Sequence, residues 1–476
     1  MSLASLFRAS LLSAVALIAL VSRGPAAQPV PPGWKAGIAT TDITPTAALW
    51  MSGYGARDHP AEGKLHPLFI KVLALEAADG KRAIVMGSDL LGIPQSIYNR
   101  TCETLKQRHG LERSQIMLHA SHSHCTPVLR SALYDAYIAM PDSQHPVIER
   151  YSAELEAKIA ETVEKAFAAL APARLASGQG ITRFAVNRRN NPEPAVAKLR
   201  DQNALKGPSD HSVPVLTVTS PEGALKAVVF GYACHNTTLS FYQWAGDYAG
   251  FAQIALERNH PGATALFFSG CGADQNPIPR REVFMAQRYG EMLAAAVEEV
   301  LLQRPKPLAP TLKTAHEFVT LKFGDEPTLA ELEELAKVPA GKPHTTQTKW
   351  AARLLAELKA GRKLARTYPY PVQAWQLGGE QLWIALGGEV VIDYALRFKS
   401  EFGLRTWVAG YTNDVMAYIP SARVLAEDTP PRAPGRSGYE GNTSMYVYGQ
   451  PAHRWADDTE QMIAEGVRKV VAEVKK

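Results

Sequence analysis

The stretch Met117-Leu118-His119-Ala120-Ser121-His122-Ser123-His124-Cys125-Thr126-Pro127 starts apolar, with Ile116 before it, and turns into small polar residues. A buried strand that delivers side chains to a site at its end has this pattern. On an extended segment side chains repeat every second residue, so His122 and His124 would share one face. Imidazole is a ligand for zinc and similar ions. The pair is therefore a candidate metal site; the plain alternative is two satisfied polar histidines.

Four more apolar runs end the same way. Val228-Val229-Phe230-Gly231-Tyr232-Ala233-Cys234 leads to His235, and Leu266-Phe267-Phe268 leads to Ser269-Gly270-Cys271-Gly272-Ala273-Asp274-Gln275-Asn276-Pro277. Leu382-Trp383-Ile384-Ala385-Leu386 leads to Gly387-Gly388-Glu389, and Trp407-Val408-Ala409-Gly410 leads to Tyr411-Thr412-Asn413-Asp414. In α/β proteins ligands bind at the carboxyl ends of strands. Five such junctions predict one shared site.

Working outward, residues 67–77 and 82–87 read as strands, and Gln95–Arg108 as a helix that Gly110 stops. Ile148, Tyr151, Leu155, Ile159, Val163 and Phe167 recur at three- and four-residue steps, which predicts an amphipathic helix packed on a sheet. Val213–Thr219 and Leu225–Ala233 read as a hairpin; Phe251–Asn259 and Arg288–Leu302 read as helices around the Leu266 strand. Strands alternate with helices but hairpins also occur, so the expected class is α/β, a mixed β-sheet core flanked by helices, with a metal site at strand carboxyl ends. Residues 326–370, with helical stretches Leu329–Ala336 and Thr348–Leu358, read as a helical insertion at the edge of a catalytic domain that spans 28–476. Asp458–Lys475 reads as a terminal amphipathic helix.

Residues 1–27 carry Arg8, an apolar run Leu11–Val21 and small residues at Ala26 and Ala27. This reads as a signal peptide, too short for a mature membrane span. It predicts a secreted or periplasmic protein with no integral membrane segment after cleavage. Its removal would leave 49 basic against 46 acidic side chains, a balance that does not argue for nucleic acid. Cys102, Cys125, Cys234 and Cys271 are too few for a disulfide scaffold, and no C-x-x-C suggests structural zinc; small buried packing residues are the favoured reading. Composition leaves the oligomeric state open.

The same motifs resemble the neutral/alkaline, non-lysosomal ceramidase family, in its N-terminal catalytic domain. Gly37-Ile38-Ala39-Thr40-Thr41-Asp42-Ile43-Thr44-Pro45, Gly53-Tyr54-Gly55-Ala56-Arg57, Ser121-His122-Ser123-His124, Ala233-Cys234-His235, Gly387-Gly388-Glu389 and Tyr439-Glu440-Gly441-Asn442-Thr443-Ser444 follow in family order. The resemblance implies a Zn2+ held by His122, His235, Glu389 and Tyr439, with Tyr439 the least secure because a phenol is an unusual ligand. Two imidazoles and a carboxylate leave a position for water, whose pKa on zinc falls near ~7. Zinc-hydroxide attack on an N-acyl linkage follows, in a hydrolase of linear amides. Arg188, or its neighbour Arg189, would meet the oxyanion, and His124 would pass a proton to the leaving amine. Asp89 and Asp247 are candidates either to orient a ligand histidine or to serve structure.

Two departures matter. The family serine falls on Gln275 or Asn276, neither a nucleophile, and the H-D-P-L element becomes Leu65-His66-Pro67-Leu68. Family members usually carry a further C-terminal β-sandwich domain, for which this chain leaves no room. The expected substrate is a small-molecule or lipid N-acyl compound, with N-acylsphingosine-type lipids as the first guess. The alternatives are a non-lipid N-acyl or ester substrate such as a carbohydrate derivative, or a non-catalytic exported binding protein. His122-Ser123-His124 lacks the Asp-His that a metallo-β-lactamase would need after it.

Overall fold

In the computed structural model, residues 33–324, 326–427 and 438–476 are described; the leader read at residues 1–27 lies outside them. Eight principal strands form the first sheet: β1 (Trp34–Asp42), β2 (Phe69–Glu76), β3 (Arg82–Ser88), β4 (Ile116–Ala120), β5 (Ala171–Ile181), β6 (Ser212–Thr219), β7 (Leu225–Tyr232) and β8 (Thr264–Ser269). Their order is β8-β7-β6-β5-β1-β2-β3-β4, and Lys306–Leu308 pairs with β5. The β3/β4 and β7/β8 pairs are parallel; the pairings between them are antiparallel. The expected hairpin is β6–β7.

A second sheet holds β9 (Leu312–Gly324), β10 (Thr367–Leu377), β11 (Gln381–Leu386) and β12 (Trp407–Ala409), in the order β12-β11-β10-β9 with Arg454–Trp455 at the edge. The two sheets face each other. Leu73, Val85, Met117, Val229, Leu266 and Phe268 of the first share one buried cluster with Trp375, Trp383 and Trp407 of the second. The expected mixed β-sheet core flanked by helices is present, laid out as two facing sheets, a division the sequence reading does not address. Strands buried on both faces read as unbroken apolar runs, so their pattern cannot tell which sheet each joins.

Helices cover the outer faces. α1 (Gln95–His109) and α2 (His145–Ala168) pack Ile97, Leu105, Leu155 and Ile159 on Ile84, Met86 and Leu118. Gly110 ends α1 in the left-handed region, its N–H returning to Lys106 O. α3 (Asp247–Asn259) and α4 (Val283–Leu302) cover Val228, Phe230 and Phe267. α5 (Leu329–Leu335) and α6 (Thr346–Lys359) form a small helical pair with capping boxes at Thr328/Glu331 and Thr345/Thr348. Its own core is Leu332, Trp350, Ala351 and Leu354. Trp350 Nε1 donates to Gln450 O at 2.6 Å and Arg353 Nε to Asp135 at 2.8 Å, so the pair leans on the segment around Tyr448. α7 (Ile392–Phe402) and α8 (Thr459–Lys475) cover Val372, Ile384 and Leu386. The layers run helix, sheet, sheet, helix. Among the described residues no helix is long and apolar enough to cross a membrane.

Isolated bridges join the carboxyl ends of the two sheets: His119 to Thr412, Gly270 to Ala409, and Ser123 to Asn236 within the first layer. All five predicted junctions meet there.

Candidate metal centre

β4 stops at Ala120, before the histidine pair. Ser121 N then donates to Ser88 O at 2.8 Å and His122 N to Leu90 O at 2.9 Å. His122 has a φ of +59°, in the left-handed region that a non-glycine residue seldom adopts and that clusters at functional sites. His122 and His124 therefore do not share a strand face, as their spacing suggested. They converge because the chain turns between them, with rings crossing at 81° and centroids 4.9 Å apart. Ser123 Oγ donates to Ala245 O at 2.7 Å, and Asn236 Nδ2 donates to Ser121 O, which fixes the turn. Gly53 completes it. Its φ is +94°, and a Cβ there would lie 2.5 Å from His124 Cγ.

His235 follows β7, its N–H on Gln275 O at 3.1 Å. Its Nδ1 sits 2.9 Å from Gly272 O, and His122 Nδ1 sits 2.7 Å from Leu91 O. A carbonyl only accepts, so each of these Nδ1 atoms carries the proton and each Nε2 keeps its lone pair. Both Nε2 atoms lie 3.1 Å from Glu389 Oε2, and His124 Nε2 lies 3.2 Å from His122 Nε2. His122, His124 and His235 have ligand atoms within 4.8 Å of one another.

Two imidazole lone pairs and a carboxylate oxygen thus converge, and none of the three can donate to another. Glu389 Oε2 is buried without a hydrogen-bond partner. Such acceptors repel unless a cation sits among them. Ligands ~2 Å from a tetrahedral ion stand about 3.3 Å apart, close to the observed spacing. The residues fit a transition-metal ion.

Glu389 opens the short strand Glu389–Val390, which pairs in parallel with Tyr418–Ile419. Gly388 before it has a φ of +74°, and a Cβ there would meet Ile419 Cγ1 at 2.6 Å. Glu389 Oε1 accepts from the Tyr448 hydroxyl. Burial raises the Glu389 pKa, but His122 and His235 outweigh it and hold the carboxyl well below its ordinary range. Burial, then Arg188, lowers His235 to about 4. Burial also drives His124 well down, with His122 and His235 adding to it. Neutral imidazoles beside an ionised carboxylate are the protonation states that metal binding needs.

The Tyr418 hydroxyl stands 3.2 Å from His235 Nε2, and that of Tyr411 3.5 Å from its Nδ1. Tyr439 stands one ring further out, its centroid 5.1 Å from that of Tyr418. Burial, then Glu389, raises its phenol to about 12. Arg188 Nη2 donates to Tyr418 at 3.1 Å and to Glu440 at 2.9 Å, and Nη1 to Asn276 Oδ1 at 3.3 Å. The Arg189 side chain meets Glu440 at 2.7 Å and lies over the Tyr439 ring. Arg188 is thus the arginine next to the centre. Asn276 faces it, whereas Gln275 Nε2 turns to Pro208 O at 3.2 Å.

Asp89 and Asp247 serve the backbone. Asp89 accepts from Phe69 N at 2.9 Å, and Asp247 from Leu239 N at 2.8 Å; carbonyls orient the histidines instead. The four cysteines are free and buried, and burial pushes each thiol up. His66 of the altered element donates from Nδ1 to Pro67 O at 3.1 Å and accepts at Nε2 from Gly246 N at 3.3 Å, away from the imidazoles. Sequence reasoning missed Tyr418, Tyr448 and Glu440. Tyr418 lies only four residues past the quoted Asp414, so the fifth junction was its signal.

The sequence profile of the neutral/alkaline non-lysosomal ceramidase N-terminal region matches residues 34–300. No curated protein matches the chain. Among solved structures, neutral ceramidase from Pseudomonas aeruginosa aligns with a TM-score of 0.65 and 19% identity over 93% of this chain and 74% of that one. A ceramidase complexed with C2 aligns with a TM-score of 0.66 and 19% identity over 92% and 75%. At that identity the likeness is one of fold.

Proposed function

Because this chain belongs to the neutral/alkaline non-lysosomal ceramidase family, we propose that it is an exported, zinc-dependent hydrolase of linear amides, with N-acylsphingosine-type lipids as the first substrates to try. The observation that carries the reading is the meeting of His122 Nε2, His235 Nε2 and the unpartnered Glu389 Oε2, three acceptors of which none can donate to another. These three residues would hold the ion. On this reading Tyr418, whose hydroxyl lies 3.2 Å from His235 Nε2, is the phenol that serves the reacting oxygen, with Tyr439 one ring further out. When bound, the ion would supply carbonyl polarisation and a water-derived nucleophile at neutral pH.

The chain's own residues do the rest. Water adds to the amide carbonyl, the C–N bond breaks, and the products are a carboxylic acid and an amine. Arg188 supplies the fixed positive charge where the oxyanion develops. Glu440, paired with it at 2.9 Å, keeps the guanidinium in place. His124 carries the proton to the leaving nitrogen. Its Nδ1 has no hydrogen-bond partner, so its tautomer is free to change, whereas those of His122 and His235 are pinned. Asn276 orients Arg188, and Tyr439 contacts substrate. Gln275 belongs to the support of Pro208.

A second reading keeps the centre and changes the substrate to a short non-lipid N-acyl compound or ester. It is favoured by the size of the adjoining cavity, about 270 Å³, below the ~300–1,000 Å³ usual for ligand sites. The test is turnover of an N-acyl panel, from acetyl to palmitoyl, by zinc-loaded and chelator-stripped protein. Zinc-dependent release of amine supports the reading. Zinc bound with no turnover of any member contradicts it in favour of a binding protein.

A further inference from the structure

The cavity next to the centre has one wall that its other walls do not explain. It opens between the start of α1, the loop after Pro127 and the Val415–Met416 segment, and Leu91, Leu129, Leu133 and Met416 make it largely apolar. Tyr448, whose hydroxyl donates to Glu389, and Leu91, whose carbonyl holds His122, also line it. It therefore lies one side chain away from the metal ligands.

Asp414 lines the same cavity and is 1% exposed. Its Oδ2 accepts from Tyr368 OH at 2.6 Å and from Gln95 Nε2 at 3.3 Å, and Oδ1 has no partner. Those neutral donors are its polar surroundings; among the described residues no lysine, arginine or histidine faces it. A carboxylate buried without a cation is costly, and burial pushes this one up to about 7. Gln95 begins α1, so a helix N-terminus points at the same wall. That end is equivalent to roughly half a positive charge and leaves the carboxylate incompletely matched.

We infer that this cavity is a subsite of the amide-hydrolysing centre and takes a short alkyl arm ending in an ammonium group, with Asp414 as its counter-ion. The inference rests on the reading of the centre as an amide hydrolase, takes the second, non-lipid reading of its substrate, and narrows that class to amides whose acyl or amine arm carries a positive charge. The apolar walls would take the methylenes, and Tyr368 and Gln95 would hold the carboxylate in register for the ammonium.

The test uses the zinc-loaded full chain. Calorimetric titration compares n-hexylammonium, 1-hexanol and hexanoate, and turnover compares fluorogenic amides of 6-aminohexanoic and hexanoic acid. Hexylammonium should bind roughly tenfold or more tighter than hexanol, as expected for a charge-assisted contact. Asp414→Asn should erase that margin while leaving hexanol binding in place, which also shows that the variant folds. Ala132→Trp, which narrows the cavity, should weaken both neutral and charged probes. Hexanoate binding best, or an ammonium margin that survives Asp414→Asn, overturns the subsite. Cleavage of both amides at equal rates, unchanged in Asp414→Asn, also overturns it and leaves the hydrolase reading standing. Asp414-dependent hexylammonium binding with neither amide cleaved, and with no member of the N-acyl panel turned over, keeps the ammonium site but removes the hydrolase reading.

Discussion

The two halves of the centre are built differently. The first sheet supplies three imidazoles, and backbone carbonyls of Leu91 and Gly272 fix two of them. The second supplies a carboxylate and phenols, and side chains fix these: Tyr448 holds Glu389, and Arg188 holds Tyr418. A backbone carbonyl cannot be mutated away or swing aside, so the imidazole half is set by the fold. The other half is set by contacts that single substitutions remove. The imidazoles and Glu389 should decide whether metal binds, and the phenols how well the chemistry runs.

The largest effects should therefore come from ligands, and the two halves should differ in kind. His122→Ala and His235→Ala should abolish metal binding. Glu389→Gln should weaken it by more than the ~10–100-fold typical of partners outside the ligand set, while keeping the fold. Equilibrium metal titration with circular dichroism checks both. Retained affinity in His235→Ala breaks the comparison.

Phenols come next. Tyr418→Phe should lower kcat by ~10²–10³, the usual effect of losing one donor at a reacting oxygen. Tyr439→Phe, one ring further out, should cost about tenfold. If Tyr439→Phe loses metal and Tyr418→Phe does not, the phenol assignment is reversed. Smaller still, Asn276→Ala frees one face of Arg188 and should lower kcat/KM by about fivefold to tenfold, the worth of a single hydrogen bond near ~1 kcal/mol. Gln275→Ala should leave kinetics within about twofold, since its amide faces Pro208.

A separate effect concerns stability at the cavity wall. The folded pKa of Asp414 is raised to about 7 from an ordinary 3.8. Between those values the folded state holds a proton that the unfolded chain has released, so stability falls as pH rises through the window. Asp414→Asn removes that slope. Its Tm relative to wild type should rise from pH 4 to pH 7 and level off above; a difference that does not change with pH would show a carboxyl that is not raised.

The sequence made the imidazole half nearly readable, because each histidine ends an apolar run and local chain direction brings it in. The left-handed turn at His122 was hidden, since nothing in Ser121-His122-Ser123 signals a positive φ. The carboxylate was visible after Gly387-Gly388. The phenols were not, because Tyr418 reaches the centre only through the pairing of Tyr418–Ile419 with Glu389–Val390, a long-range contact with no local pattern. The same blindness left the number of sheets open: Trp375, Trp383 and Trp407 look like core wherever they sit. Element boundaries fared well where caps marked them, as at Gly110. α3 and α4 start at Asp247 and Val283, ahead of the Phe251 and Arg288 at which the sequence reading begins them.

The central claim is that His122, His235 and Glu389 hold one metal ion. Elemental analysis of protein purified without chelators tests it most directly, run beside the His122→Ala/His235→Ala double variant. The account predicts about one zinc per chain in the wild type and background levels in the variant. A wild type that holds no transition metal and takes up none from added zinc, or a double variant that holds as much as the wild type, would contradict it.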